Sequence, residues 1–144
     1  MILARMVHPT HGCGLNQFDL HFKPIAPIAI RRTWNAEREG KLAEGSVDTT
    51  SYGHNLELTW LLMQADQALR VERDDHRRIA RRLVDHALQY GIDWTHGGVY
   101  RDGPHDGPAV VRDKEWWQNA EALVGLIDAY RLFGDQPYLD AFQN

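Results

Sequence analysis

The sequence predicts an all-α fold, a partial ring of helical hairpins with small β pieces in its long loops. Three observations carry this. Apolar residues recur at spacings of three and four over several long stretches, each stretch stops at a glycine or an abrupt polar turn, and short and long connections alternate between them. A ring of hairpins is built that way, with its long loops gathered at one end around the mouth of a pocket.

In chain order, Ile2-Leu3-Ala4-Arg5-Met6-Val7 reads as the last turns of a helix, closed by His8-Pro9 and the glycines Gly12 and Gly14. Residues 14–30 alternate weakly, with Phe18, Leu20 and Phe22 on one side of a possible strand and Gln17, Asp19 and His21 on the other, until Pro24 and Pro27 end it. Arg31 to Thr50 is polar and reads as a long surface loop. From Gly53 to about Val71 the set Leu58, Leu61, Leu62, Ala65 and Leu69 predicts an amphipathic helix. A second helix spans about Asp74 to Tyr90, capped by Asp74 or Asp75, with Ile79, Leu83, Ala87 and Leu88 inward and Arg77, Arg78, Arg81 and Arg82 mostly solvated. Gly91 stops it. Residues 94–113 hold Gly97-Gly98, Gly103-Pro104 and Gly107-Pro108 around the β-like pieces Val99-Tyr100 and Ala109-Val110-Val111, a loop or small hairpin. The third helix covers about Lys114 to Phe133, with Trp117, Ala120, Leu123, Val124, Ile127, Tyr130 and Leu132 as its apolar set and Gly134 as terminator. A fourth begins at Gln136-Pro137 and runs to Asn144.

The 144 residues are 43% hydrophobic and 25% charged, the composition of one ordinary globular domain, which excludes disorder, collagen and coiled coil. A formal charge of −4 gives no reason to expect nucleic acid or an anionic membrane as partner, and favours a small neutral ligand. The single cysteine, Cys13, forbids an intrachain disulfide and a four-thiolate zinc site. Without a long apolar run or a signal-peptide pattern, the chain is expected to be cytoplasmic.

Two segments concentrate chemistry-bearing side chains at predicted helix starts: Ser51-Tyr52-Gly53-His54-Asn55-Leu56-Glu57-Leu58-Thr59-Trp60-Leu61-Leu62 and Lys114-Glu115-Trp116-Trp117-Gln118-Asn119-Ala120-Glu121-Ala122-Leu123. His54 and Glu57, three apart, share a helix face, so the carboxylate can hold the imidazole or both can address one ligand. Trp117 and Glu121, four apart, set an aromatic plane beside a carboxylate, which suits a sugar ring with its apolar C–H face and hydroxyl rim. The same spacings also serve helix capping and surface pairing, and paired tryptophans also fill cores. No metal is expected, because His8, His11, His21, His76, His86, His96 and His105 lack zincin or EF-hand spacing.

These two segments, in this order and about sixty residues apart, resemble the signature of the N-acylglucosamine 2-epimerase and cellobiose 2-epimerase family, and Phe18-Asp19-x-x-Phe22-x-Pro24 resembles the family's strand region ahead of the first motif. The resemblance implies an incomplete (α/α)6 barrel and proton transfer at sugar C2 through an enediolate, with no redox cofactor. It matches His54 to the acid/base, Glu57 to its accompanying carboxylate, and Trp117 and Glu121 to the lining of the sugar pocket; Trp116 and Tyr52, in the same segments, are further substrate-binding candidates. Asn55 stands where the family more usually has aspartate.

Residues 1–144 are then expected to form one partial barrel domain, an internal piece without the N-terminal and last hairpins. It would lack the family's second catalytic histidine and its N-terminal arginine. The chain alone is expected not to epimerise sugars at a useful rate. Three readings follow: a portion of a sugar 2-epimerase taking a mono- or disaccharide, an aldose–ketose isomerase returning the proton to C1, or a non-catalytic sugar-binding or interaction module. Bare apolar flanks around Ile2, Leu3 and Met6, and around Tyr138, Leu139 and Phe142, would favour a homodimer or a complementing chain.

Overall fold

The computed structural model describes residues 3–16, 18–24 and 49–144. Its elements in order are α1 (Leu3–Met6), β1 (Thr49–Ser51), α2 (Tyr52–Leu69), α3 (Asp74–Tyr90), β2 (Asp102–Pro104), α4 (Trp116–Phe133) and α5 (Gln136–Gln143). Helices α2 and α3 form one antiparallel hairpin and α4 and α5 a second, with α2 packed against both α3 and α4. The predicted helices are all present within two residues of their expected ends.

Their ends have local causes. Arg70 takes a left-handed conformation (φ 54°) and its N–H reaches the Asp66 and Gln67 carbonyls, so α2 stops just short of Val71. Gly134 closes α4 in the same way at φ 78°. Gly91 ends α3 for a different reason: its φ is −102°, but a Cβ there would lie 2.5 Å from Cγ of Tyr52. The predicted cap of α3 shifts by one residue, since Arg73 is the N-cap and pairs with Asp75.

The buried faces differ from the expected ones. Of the stripe assigned inward on α2, only Leu62 is buried; Leu61 is 42% and Leu69 71% exposed, while Tyr52, Asn55, Leu56, Thr59 and Asp66 face inward. Two of the buried polar groups are satisfied within the hairpin: Thr59 donates to the Asn55 carbonyl at 2.8 Å, and Asp66 lies 2.7 Å from His76 Nδ1. On α4, Leu123 and Val124 are exposed, and the small residues Ala122, Gly125 and Ala129 pack inward with Leu126. A Cβ at Gly125 would lie 2.6 Å from the Leu56 carbonyl, so α2 and α4 approach more closely than a larger stripe allows. On α3, Leu83 and Ala87 are buried as expected, whereas Ile79 and Leu88 are half-buried. Of its arginines, Arg77, Arg78 and Arg81 are exposed as expected and Arg82 is half-buried. Arg82 clamps the N-terminal turn by donating to the Pro9 and Thr10 carbonyls, and the guanidinium groups of Arg77 and Arg81 lie over the Phe133 ring.

Two expectations for the N-terminal region need correction. Residues 18–24 form a tight turn in place of a strand: the Asp19 carboxylate accepts the N–H groups of His21 and Lys23, Phe22 adopts φ 59°, and Leu20 is 98% exposed. Gln17, residues 25–30 and the predicted loop up to residue 48 lie outside the described residues. Thr50, placed in that loop by the sequence, instead belongs to β1, which pairs antiparallel with β2 in the register Thr49↔Pro104, Thr50↔Gly103, Ser51↔Asp102. The β-like pieces flank this pairing, Val99 bridging Ile92 and Val111 bridging Asp102. The presumed bare flank at the other end is also partly closed. Tyr138 is 1% exposed and donates to Asp85, Leu3, Met6, Leu139 and Phe142 are half-buried, and Ile2 lies outside the described residues. No helix is long and apolar enough to cross a membrane, among the described residues.

Candidate active site

The pairing of β1 with β2 brings the start of α2 beside the start of α4, and a cleft of about 650 Å³ opens between them. Helix α2 contributes His54, Glu57, Leu58 and Leu61; α4 contributes Trp117 and Gln118. The apolar stripe displaced from the core of α2 is thus part of the cleft wall. The imidazole of His54 is exposed and stands 4.8 Å from the Trp117 ring, tilted by 53°.

The indole is held by its polar edge. Trp117 Nε1 donates to Glu115 Oε2 at 2.6 Å, and Arg101 Nε lies 3.9 Å from the other Glu115 oxygen and 3.1 Å from Asp102. With the N–H engaged, the ring face is the part of Trp117 left to meet a ligand. Asn55, next to His54, is buried and ties three segments together: its amide oxygen accepts the Gly14 N–H at 2.8 Å and its NH₂ donates to Thr50 at 3.1 Å. Its amide supplies both a donor and an acceptor there, where a carboxylate only accepts.

The other candidates lie elsewhere. Tyr52 is fully buried in the core, stacked on His86 with its hydroxyl against Gly103, where a Cβ would sit 1.9 Å away; it does not line the cleft. Burial pushes its phenol above the usual range. Trp116 is 84% exposed and is also absent from the cleft wall. Glu121 sits one turn along from Trp117 and accepts the Trp60 indole N–H at 2.8 Å, bracing α4 against α2 behind the wall. Residues that sequence reasoning missed are Glu115, Arg101, Asp102, Ser51 and Gln118, all lining the cleft. Glu115 was signalled by its place directly before the paired tryptophans. Arg101 and Asp102 carry no local signal, since only the long-range strand pairing brings them there.

Residues 30–144 match the family model described as N-acylglucosamine 2-epimerase (GlcNAc 2-epimerase). The chain belongs to this family. It is similar to a cellobiose 2-epimerase of Ruminococcus albus, 31% identical over 100 residues, covering 65% of this chain and 24% of that protein. It is also similar to the N-acylglucosamine 2-epimerase of Rattus norvegicus, 30% identical over 117 residues, covering 75% and 27%. The chain thus spans about a quarter of the length of these relatives. Among solved structures, the sugar epimerase from a ruminal bacterium superposes with a TM-score of 0.74 at 22% identity, covering 98% of this chain and 31% of that one. D-mannose isomerase superposes at 0.73 and 20% identity, covering 99% and 34%. The family's fold is the (α/α)6 barrel, and the two hairpins described above are part of it. The expected family and fold are therefore both found. The family comprises carbohydrate-converting epimerases and isomerases.

Proposed function

We propose that this chain is the part of a sugar 2-epimerase that serves one face of C2. Residues 1–144 are read as one partial barrel domain, with the second proton donor supplied from chain beyond it. The observation that carries this reading is the His54–Trp117 pair, an exposed imidazole 4.8 Å from an indole whose N–H is already engaged. Trp117 offers its face to the C–H side of the sugar. With the pyranose open, C2–H is acidified by the adjacent aldehyde, and neutral His54 takes that proton as general base, leaving an enediolate. Glu57, on the same helix face and in the same cleft wall, offers its carboxylate to the sugar hydroxyls. Glu115 keeps the indole plane fixed, and Tyr52, Trp116 and Glu121 play no direct part.

A single base can return a proton only to the face from which it took one. Incubated in D2O with cellobiose, N-acetylglucosamine and mannose separately, the chain is expected to exchange C2–H slowly with retained configuration in at least one sugar. No epimer should accumulate, and His54→Ala should abolish the exchange, as read by NMR at C2. An inverted product from this chain alone would contradict the one-face assignment. Absence of exchange in all three sugars would contradict His54 as the base.

A further inference from the structure

Gln118 follows Trp117, lines the cleft and is only 2% exposed. Its Nε2 donates to the Ser51 hydroxyl at 3.2 Å, while its Oε1 is buried without a hydrogen bond among the described residues. Turning the amide over lets Oε1 accept from Ser51 and strands Nε2 instead, so one end is unmet in either orientation. An apolar residue of similar size would fill this space without that penalty. The amide's gain is therefore the tie to Ser51, the residue that begins the segment carrying His54.

The stem of Gln118 has a second neighbour. A Cβ at Gly53 would lie 2.5 Å from its Cγ and 2.6 Å from its Cβ, so the side chain fills the space left by the missing one at Gly53. Gly53 immediately precedes His54, and Gln118 immediately follows Trp117. The contact between the two helix starts thus adjoins both members of the ring pair, one peptide bond away on each side.

We propose that Gln118 is a positioning residue, which sets the separation and tilt of His54 and Trp117 by wedging against Gly53 and tying α4 to Ser51. This rests on the reading of His54 and Trp117 as the working pair, but its test requires no sugar. The ring current of Trp117 displaces the ring-proton resonances of His54, assigned with His54→Ala and measured as the difference between the wild-type chain and Trp117→Ala. Gln118→Ala, which removes both wedge and tie, is expected to lower that displacement by at least half. Gly53→Ala, which forces the helix starts apart, should do the same. Gln118→Met keeps the bulk and loses the tie, and should show a smaller but measurable fall. If Gln118→Ala fails to unfold cooperatively, Gln118→Met and Gly53→Ala decide the matter. A displacement equal to wild type in the folded variants overturns the proposal. Failure of the sugar-exchange experiment alone overturns the functional reading and leaves this geometric result standing.

Discussion

The cleft between α2 and α4 and the histidine-lined side of α3 use the same residue type in opposite ways. In the cleft, His54 is exposed, with the Trp117 ring beside it. On α3, His86 is 4% exposed, donates Nε2–H to the His105 carbonyl at 2.9 Å and stacks on Tyr52, with its Nδ1 buried and without a hydrogen bond among the described residues. The rings of His11 and His105 stand 4.6 and 5.0 Å from that of His8 in the same neighbourhood. Burial, aided by these other imidazoles, pushes the pKa of His86 below the usual histidine range. One histidine can reach a ligand, and the other locks a neutral ring into the core that supports the first.

Tyr52 sits between the two regions, so its loss should have the largest effect. Tyr52→Ala is expected to destabilise the chain by about 3–5 kcal/mol, measured by urea denaturation, because it empties a fully buried aromatic site at the start of α2. A loss below about 1 kcal/mol would return Tyr52 to the list of pocket residues. Gly125→Ala should cost about 1–3 kcal/mol by the same measurement, since its methyl meets the Leu56 carbonyl and must push α2 from α4. Neutral behaviour there would mean that the helix pair yields without strain.

Acidification sharpens the comparison further. The pKa of His86 is lowered in the folded chain, so the unfolded chain binds more protons. Stability is therefore complete above pH ~6.5 and is lost as pH falls from there toward the lowered folded value. Thermal melts between pH 7.5 and 5 should show a falling midpoint, with a shallower fall in His86→Gln, whose amide can still donate to the His105 carbonyl. An unchanged slope would show that His86 does not contribute. Asp93 adds a separate loss at lower pH. Lys114 above all, then the N–H groups of His96 and Thr95, holds its carboxyl well below the usual range, and that stabilisation disappears only as the carboxyl protonates. At the other extreme, His54→Ala should change stability by no more than ~0.5 kcal/mol, as befits an exposed side chain. A large loss would make it a structural residue like His86.

The helices were legible because periodicity, glycine and proline mark them locally. Their buried faces were not, because partners decide which stripe goes inward: α2 lies between two helices and buries Asn55, Thr59 and Asp66, with Leu58 and Leu61 left for the cleft. The same geometry divides the motifs. His54, Glu57 and Trp117 were readable from their spacing, but each residue turns a helix by ~100°, so Trp116 points away from Trp117 and Tyr52 lies nearly opposite His54. Glu121 shares a face with Trp117 but is one turn farther on, within reach of Trp60. The turn at 18–24 escaped because weak alternation reads as strand, while the Asp19 carboxylate bonds its own downstream backbone.

The central claim is that the cleft bearing His54 and Trp117 receives a sugar. Its most direct test follows the indole N–H resonances of the ¹⁵N-labelled chain during titration with cellobiose and with mannose. The account predicts that the Trp117 signal moves with saturation while those of the exposed Trp94 and Trp116 stay in place, and that His54→Ala leaves the other indoles unaffected. Shifts confined to Trp94 or Trp116, or a Trp117 signal unmoved at saturating sugar, would contradict it.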